Sequence, residues 1–472
     1  MIMKPIKYLL LGALTLSFSA PVAAQDDQPV EAVKAIIKSG AADAEKQIKA
    51  IYKKNKKNPE VVVGIGRAYY EAKDTANARV YGDLGVKMNY GPAYILLGDI
   101  TALSDDGGGA ARYYDQAIYF DPKNPEAYYK YAAVYRKVSP AGAAAKLEDL
   151  RVQRPDLPVD AIKGRILYMA NEFDEAIEAF KKADRTKMEE RDLRSFAMAY
   201  YLTGKHQPSL EVSEFALQKL PRDAGFNRLA FFCNTDLKNF DQALVYADRL
   251  FNQSDSAKFT YFDYSYYGNA LNGAKKHDEA IAAYKKALEQ EFDSNDKRAG
   301  VIKQLADAYK GIDDYENAVT YYDQFLKEVS KASLSDYADL GRLYVQYADK
   351  LEGDAKLEKL KKADEIYADL AVKNEDAKEY SLFWRGRVNT MMDPESKDGL
   401  AKPFYEELAT TINVKAEKDK ADQARLVESC RYLINYYVNV ASDTPKAKEY
   451  AQMLLSVDPE NEIGKMVMEL KD

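Results

Sequence analysis

The sequence predicts an all-α solenoid: about twelve antiparallel helix pairs, stacked end to end. Three observations carry that prediction. A small residue returns at nearly constant spacing along the chain. A second small residue stands about twelve positions ahead of most of them. Four stretches can also be laid directly on one another. By length alone, 472 residues would be divided into about three domains, but a fixed internal period overrides such a division. With 47% hydrophobic and 30% charged residues, the composition is that of a folded chain and not a disordered one.

Residues 1–24 read as a signal peptide. Lys4 and Lys7 make its basic start, YLLLGALTLSF (8–18) its apolar core and PVAA (21–24) a small-residue cleavage site, with cleavage expected after Ala24. An apolar core of about 11 residues is too short to span a bilayer, and no later stretch approaches 18 uncharged apolar residues. The expected location is the periplasm, with a peripheral place at the outer membrane as one option. No cysteine precedes Cys233, so a processed N-terminal cysteine is not available for lipid attachment. The net charge is −7, and −9 once Lys4 and Lys7 leave with the leader. Such a balance argues against a nucleic-acid binder, which would carry a basic surface or stripe. Cys233 and Cys430 are far apart in an extended repeat array and are expected as buried free thiols. With only two histidines and no clustered ligands, no metal or other cofactor is implied.

Regular repeats are expected over 25–250. NEFDEAIEAFKKA (171–183), KNFDQALVYADRL (238–250), KKHDEAIAAYKKAL (275–288) and DDYENAVTYYDQFL (313–326) share a turn, an aromatic, an acidic or amide pair, an alanine and an aliphatic-aromatic face. The marker residues are Ala44, Ala78, Ala110, Ala144, Ala176, Ser209, Ala243, Ala280, Ala318, Ala363, Ala401 and Ala447. Their spacings are 34, 32, 34, 32, 33, 34, 37, 38, 45, 38 and 46. Gly66, Gly98, Ala132, Gly164, Ala197, Gly268 and Ala306 are the small residues on the preceding helices. Small residues let two helices approach closely, and large aromatics such as Tyr114, Phe180, Tyr284, Tyr322, Tyr367 and Tyr405 fill the space toward the next pair. No unit can bury its apolar face alone, so stacked neighbours share one core. Phe173, His206, Phe240, His277 and Tyr315 occupy one slot, three residues ahead of the marker. Both histidines are therefore read as aromatic stand-ins at a helix start, not as catalytic groups.

The pattern resembles the tetratricopeptide repeat (TPR) family, with its 34-residue helix–turn–helix unit, over essentially all of 25–472, and the resemblance implies a right-handed superhelix. It departs from the family in carrying Tyr or Phe where the first-helix Trp is usual, and in longer spacing after residue 250. Longer or irregular repeats are thus expected over 251–460, with extra turns or loops near 252–262, 349–362 and 411–427. NEIGKMVMELKD (461–472) reads as a C-terminal capping helix.

No catalytic motif survives inspection. VVVGIGRAYYEA (61–72) lacks the third glycine of a dinucleotide loop, that position being Tyr69. DDGGGAA (105–111) lacks both the Lys-Ser/Thr of a phosphate loop and calcium-loop spacing. The expectation is a non-enzymatic scaffold, since the repeats leave no segment for a catalytic domain.

The resemblance implies that first helices line a concave face that grips an extended peptide or a partner helix. Taking the small residue as the inward reference selects Arg67, Tyr70, Tyr129, Arg136, Arg165, Tyr168, Arg194, Tyr201 and Arg228 as partner-binding candidates in a groove spanning 60–230. Guanidinium forks bind carboxylates bidentately, and Tyr offers a rigid apolar face with a polar tip. The expected partner is a protein or peptide of the cell envelope with an acidic or polar segment. The alternative role for these arginines is to pair with acids on neighbouring repeats and brace the stack. Two other functions are weighed against the scaffold. The first is glycan or nutrient capture at the outer membrane, disfavoured by the single Trp384 and the missing lipid-attachment cysteine. The second is an enzyme built on scattered carboxylates.

Overall fold

About half of the helices in this chain begin at a side chain that caps them. Asn58, Asp74, Asp106, Asn124, Ser139, Asp223, Ser294, Asp314, Ser333, Asp419 and Asp443 each accept a backbone N–H of the first helical turn. The computed structural model describes residues 27–471. The signal peptide read at 1–24 lies outside them.

Two compact units divide between Ala216 and Leu217. The first holds six helix pairs: α1 (Asp27–Ser39) with α2 (Ala44–Asn55), α3 (Pro59–Glu71) with α4 (Thr75–Val86), α5 (Gly91–Ala102) with α6 (Gly107–Phe120), α7 (Pro125–Tyr135) with α8 (Pro140–Gln153), α9 (Val159–Met169) with α10 (Phe173–Lys182), and α11 (Glu190–Leu202) with α12 (His206–Leu217). The second holds six more: α13 (Ala224–Asp236) with α14 (Phe240–Asp248), α15 (Tyr261–Gly273) with α16 (His277–Leu288), α17 (Asn295–Gly311) with α18 (Tyr315–Glu328), α19 (Leu334–Ala348) with α20 (Gly353–Lys373), α21 (Lys378–Met392) with α22 (Lys402–Asn413), and α23 (Lys420–Asn439) with α24 (Thr444–Val457). A last short helix, α25 (Glu462–Met468), follows. The architecture is all-α, with no strand among the described residues.

The longer spacings are absorbed locally. A π-helical turn at Arg249–Gln253 and an irregular segment separate α14 from α15, α20 runs to 21 residues and α23 to 20. The helix α25 packs on α24 and buries Val467, while Ile463, Met466, Met468 and Leu470 stay exposed.

Every marker from Ala78 to Ala447 is buried, and Ala44 is partly so. Their partners on the first helices are equally constrained. A Cβ on Gly98, Gly164, Gly268, Gly341 or Gly386 would come within 3.0 Å of the ring of Tyr114, Phe180, Tyr284, Tyr367 or Tyr405, respectively. Each ring thus comes from the second helix of its pair and lies in a glycine notch of the first. It also reaches the next pair: Phe180 stacks on Phe196 at 5.0 Å and Tyr367 on Trp384 at 5.6 Å.

The slot shared by the two histidines is the first residue of a second helix, as in α10, α12, α14, α16 and α18. Phe240 packs over Gly273, and His277 packs over Gly311 in the same way. His277 Nδ1 also lies 2.6 Å from Asn272 Oδ1. Cys233 and Cys430 are both buried and form no disulfide among the described residues, and burial pushes the Cys430 thiol up to about 12.

The turns inside the pairs share one more feature. Lys73, Asp105, Asn171, Lys238, Lys275 and Asp313 have φ between 56° and 65°, where Gly204 stands in the sixth pair. Side chains in this left-handed region clash with their own backbone. Changing exposed Lys73, Lys238 or Lys275 to Gly is expected to stabilise its unit by up to about 1 kcal/mol, the relieved strain outweighing the extra freedom of an unfolded glycine. Urea midpoints should rise with unchanged slope; a fall would mean that these lysines make contacts worth more than the strain.

Candidate partner-binding face

First helices of neighbouring pairs touch one another through the first unit and at three steps of the second. In the first unit α3 packs on α5, α5 on α7, α7 on α9 and α9 on α11; in the second α13 packs on α15, α15 on α17 and α21 on α23. Successive second helices do not pack on each other to a comparable extent. The first helices thus make up one layer of the stack, the inner layer, and the second helices the other. The residue following each notch glycine lies on that inner layer, and here the tyrosines of the second helices deliver their hydroxyls. Tyr114 donates to Asp99, beside Gly98, at 2.8 Å. Tyr284 donates to Asn269, beside Gly268, at 2.8 Å. Tyr405, in the notch of Gly386, donates to Glu428 at 3.2 Å.

Charge on the inner layer is organised by aspartates. Arg67 donates to Asp99 at 2.5 Å and lies 3.8 Å from Glu126, while Lys130 reaches Asp99 from α7 at 2.8 Å. Asp99 is 6% exposed and so meets three donors from three helix pairs. Arg228 donates to Asp263 at 2.5 Å and Lys303 to Asp336 at 2.6 Å. Both aspartates sit at the third position of their helix in a capping box. One carboxylate oxygen accepts the N–H of Thr260 or Ser333, and the other takes the base from the preceding pair. One side chain therefore caps its own helix and ties it to its neighbour. Arg387 makes the same kind of link in bidentate form to Glu428, at 2.7 and 2.6 Å.

The sequence-selected residues fall into these groupings. Arg67 and Tyr70 gather at Asp99, whose charge helps raise the Tyr70 hydroxyl pKa after burial, the larger cause. Tyr129 is buried, its hydroxyl pushed up to about 12 by burial. Arg165 lies 3.2 Å from Asp192. Burial raises the Asp192 carboxyl above the usual carboxylate range and lowers Arg165, each opposed in part by the other's charge. Tyr168 packs on Phe173 at 5.7 Å, and Tyr201 on the slot histidine His206 at 5.4 Å. Arg194 bonds Glu190 on its own helix. Arg136, the C-cap of α7, is half-buried with no ion pair, and burial alone lowers its pKa. Arg228 lies in the second unit, where Asp263 and the Lys258 carbonyl hold it.

Sequence reasoning offered pairing with acids on neighbouring repeats as the arginines' alternative role, and Arg67, Arg165 and Arg228 do pair so, but it named neither the aspartates nor the tyrosine hydroxyls. The first had a signal in Ser/Thr-x-x-Asp, at Thr260–Asp263 and Ser333–Asp336, with a base 33 to 35 residues earlier. The second was hidden because a buried Tyr reads as core.

Residues 304–332, from the middle of α17 through α18, match the tetratricopeptide repeat family model. The chain carries a tetratricopeptide repeat. That TPR unit holds Ala306, Ala318 and Tyr322, the same small–small–aromatic set that recurs along both units. Among solved structures, the C-terminal part of a TPR repeat-containing protein from Cytophaga hutchinsonii is similar at 20% identity, with a TM-score of 0.48, over 59% of this chain and 100% of that one. A tetratricopeptide repeat protein from Parabacteroides merdae is similar at 15% identity, with a TM-score of 0.35, over 52% of this chain and 97% of that one. No curated protein matches the sequence. A TPR fold is in general a protein-interaction scaffold and typically non-catalytic. No helix among the described residues is long and apolar enough to cross a membrane.

Proposed function

We propose that this protein is an exported, non-enzymatic scaffold of the bacterial periplasm that holds segments of envelope proteins against the inner layer of first helices. The observation that carries this reading is the row of touching first helices in the first unit. They present Arg67, Tyr70, Arg136, Arg165, Tyr168, Arg194 and Tyr201 in succession, in a layer braced by ion pairs between neighbouring repeats. Bracing fixes the spacing of the row before a partner arrives, which reduces the ordering cost of binding. Arg136 is the most available contact, since its charge is met by no carboxylate. Periplasmic export rests on the leader pattern at 1–24, and the contact set supports a partner segment with acidic or polar side chains.

The test is an affinity capture from envelope extract with residues 25–472 as bait, beside an Arg136→Glu/Arg194→Glu variant whose helicity is checked by circular dichroism. Specific proteins held by the native bait and lost by the variant are the expected result. Equal capture by both would move the contact site off this face. If the native bait retains no protein, the scaffold reading fails and soluble polysaccharides become the ligands to test by calorimetry.

A further inference from the structure

The second unit contains a cleft of about 320 Å³ where α19, α21 and α23 come together. Its floor is apolar, formed by Val345, Met391 and Trp384, the only tryptophan in the chain. Tyr367 stacks on the indole at 5.6 Å, and the Arg387 guanidinium lies over it at 5.3 Å. With its ring already engaged in this way, Trp384 is poorly placed to stack on a sugar. Along one wall Arg387 is neutralised by its bidentate bond to Glu428.

The remaining charge in the lining is Asp349. Its carboxylate makes no ion pair or side-chain hydrogen bond, and the adjacent Lys350 is 3.2 Å from Asp313. Asp349 is also the C-cap of α19. There its negative charge adds to the partial negative charge of the helix C-terminus, so a cation placed beside it is favoured. The cleft thus pairs an apolar floor with an uncompensated anionic rim.

We infer that this cleft is a second binding site, which takes an apolar side chain of an extended peptide and pairs the lysine or arginine beside it with Asp349. It differs in charge preference from the face of the first unit, where the unmatched charge belongs to Arg136. The inference uses the scaffold reading only in taking a peptide as the occupant, and its test does not depend on capturing any partner.

Trp384 makes the test direct, because all indole fluorescence of the protein originates in this cleft. Purified protein is titrated with three synthetic peptides: acetyl-GSGFKGSG-amide, the same peptide with Glu for Lys, and the same with Ala for Phe. The Phe-Lys peptide is expected to change Trp384 emission saturably with a sub-millimolar midpoint, and the other two to bind at least tenfold more weakly. Asp349→Asn should weaken the Phe-Lys peptide roughly tenfold, and Asp349→Lys should abolish its effect. Asp349 is exposed, so neither change threatens folding. Equal binding of the Phe-Glu peptide, or unchanged affinity in Asp349→Asn, overturns the inference. So does a soluble oligosaccharide that shifts the emission when no peptide does, which would assign the cleft to glycans.

Discussion

Replacing Asp99 by Ala is expected to destabilise the first unit by about 3 kcal/mol. The carboxylate is 6% exposed and holds Arg67 at 2.5 Å, Lys130 at 2.8 Å and the Tyr114 hydroxyl at 2.8 Å. Its removal leaves Arg67 and Lys130 with only the half-exposed Glu126, at 3.8 and 3.5 Å, and a buried hydroxyl without an acceptor. The two cations keep some access to water, which puts the loss at the low end of the range for breaking a buried pair. Asp99→Asn keeps the shape and one acceptor and should lose less, about half as much. Urea denaturation of the two variants checks both figures. A loss under 1 kcal/mol for Asp99→Ala would mean that water replaces the carboxylate at this hub. Arg67→Met should be far milder, because it removes one of three donors and leaves Asp99 with two.

Tyr284→Ala is expected to cost the second unit roughly 3–5 kcal/mol. The side chain is 1% exposed and lies in the notch of Gly268, so truncation leaves a cavity shared by α15, α16 and α17. Tyr284→Phe removes only the bond to Asn269 and should cost about 1 kcal/mol. The reciprocal change, Gly268→Ala, drives a Cβ into the ring and should cost roughly 1–3 kcal/mol through overpacking. Combined, Tyr284→Ala and Gly268→Ala should cost less than their sum, because the new methyl enters the space the ring has left. Strict additivity of the pair would show that ring and notch do not meet.

The fold was legible because its tightest contact tolerates so few residue types. A ring seated on a helix backbone at this distance requires Gly beneath it, and that demand recurs at Gly98, Gly164, Gly268, Gly341 and Gly386. The histidine slot was legible for a related reason: Phe240 and His277 meet a glycine of the next pair in the same geometry. The face itself was half legible. Gly-Arg at 66–67, 164–165 and 386–387 marks the inner layer, but the acid that each arginine meets lies 32, 27 and 41 residues on. No fixed offset reveals those partners before the helices are in place. The cleft at Trp384 was not legible at all. Its lining runs from Val345 to Glu428, across the longest spacings in the chain, and its defining feature is the lack of a partner for Asp349.

The tyrosines threaded through the glycine notches have an evolutionary consequence. Their Cα atoms belong to the second helices, yet their hydroxyls end on Asp99, Asn269 and Glu428 of the first. A Tyr-to-Phe exchange at 114, 284 or 405 therefore rewrites the polarity of the inner wall from behind, leaving the inner helices and their glycines unchanged. Selection for a new ligand can act through positions that a comparison of homologues would set aside as interior filler. Lineages that differ only at those tyrosines should then differ in the polarity of that layer while every first-helix residue stays the same.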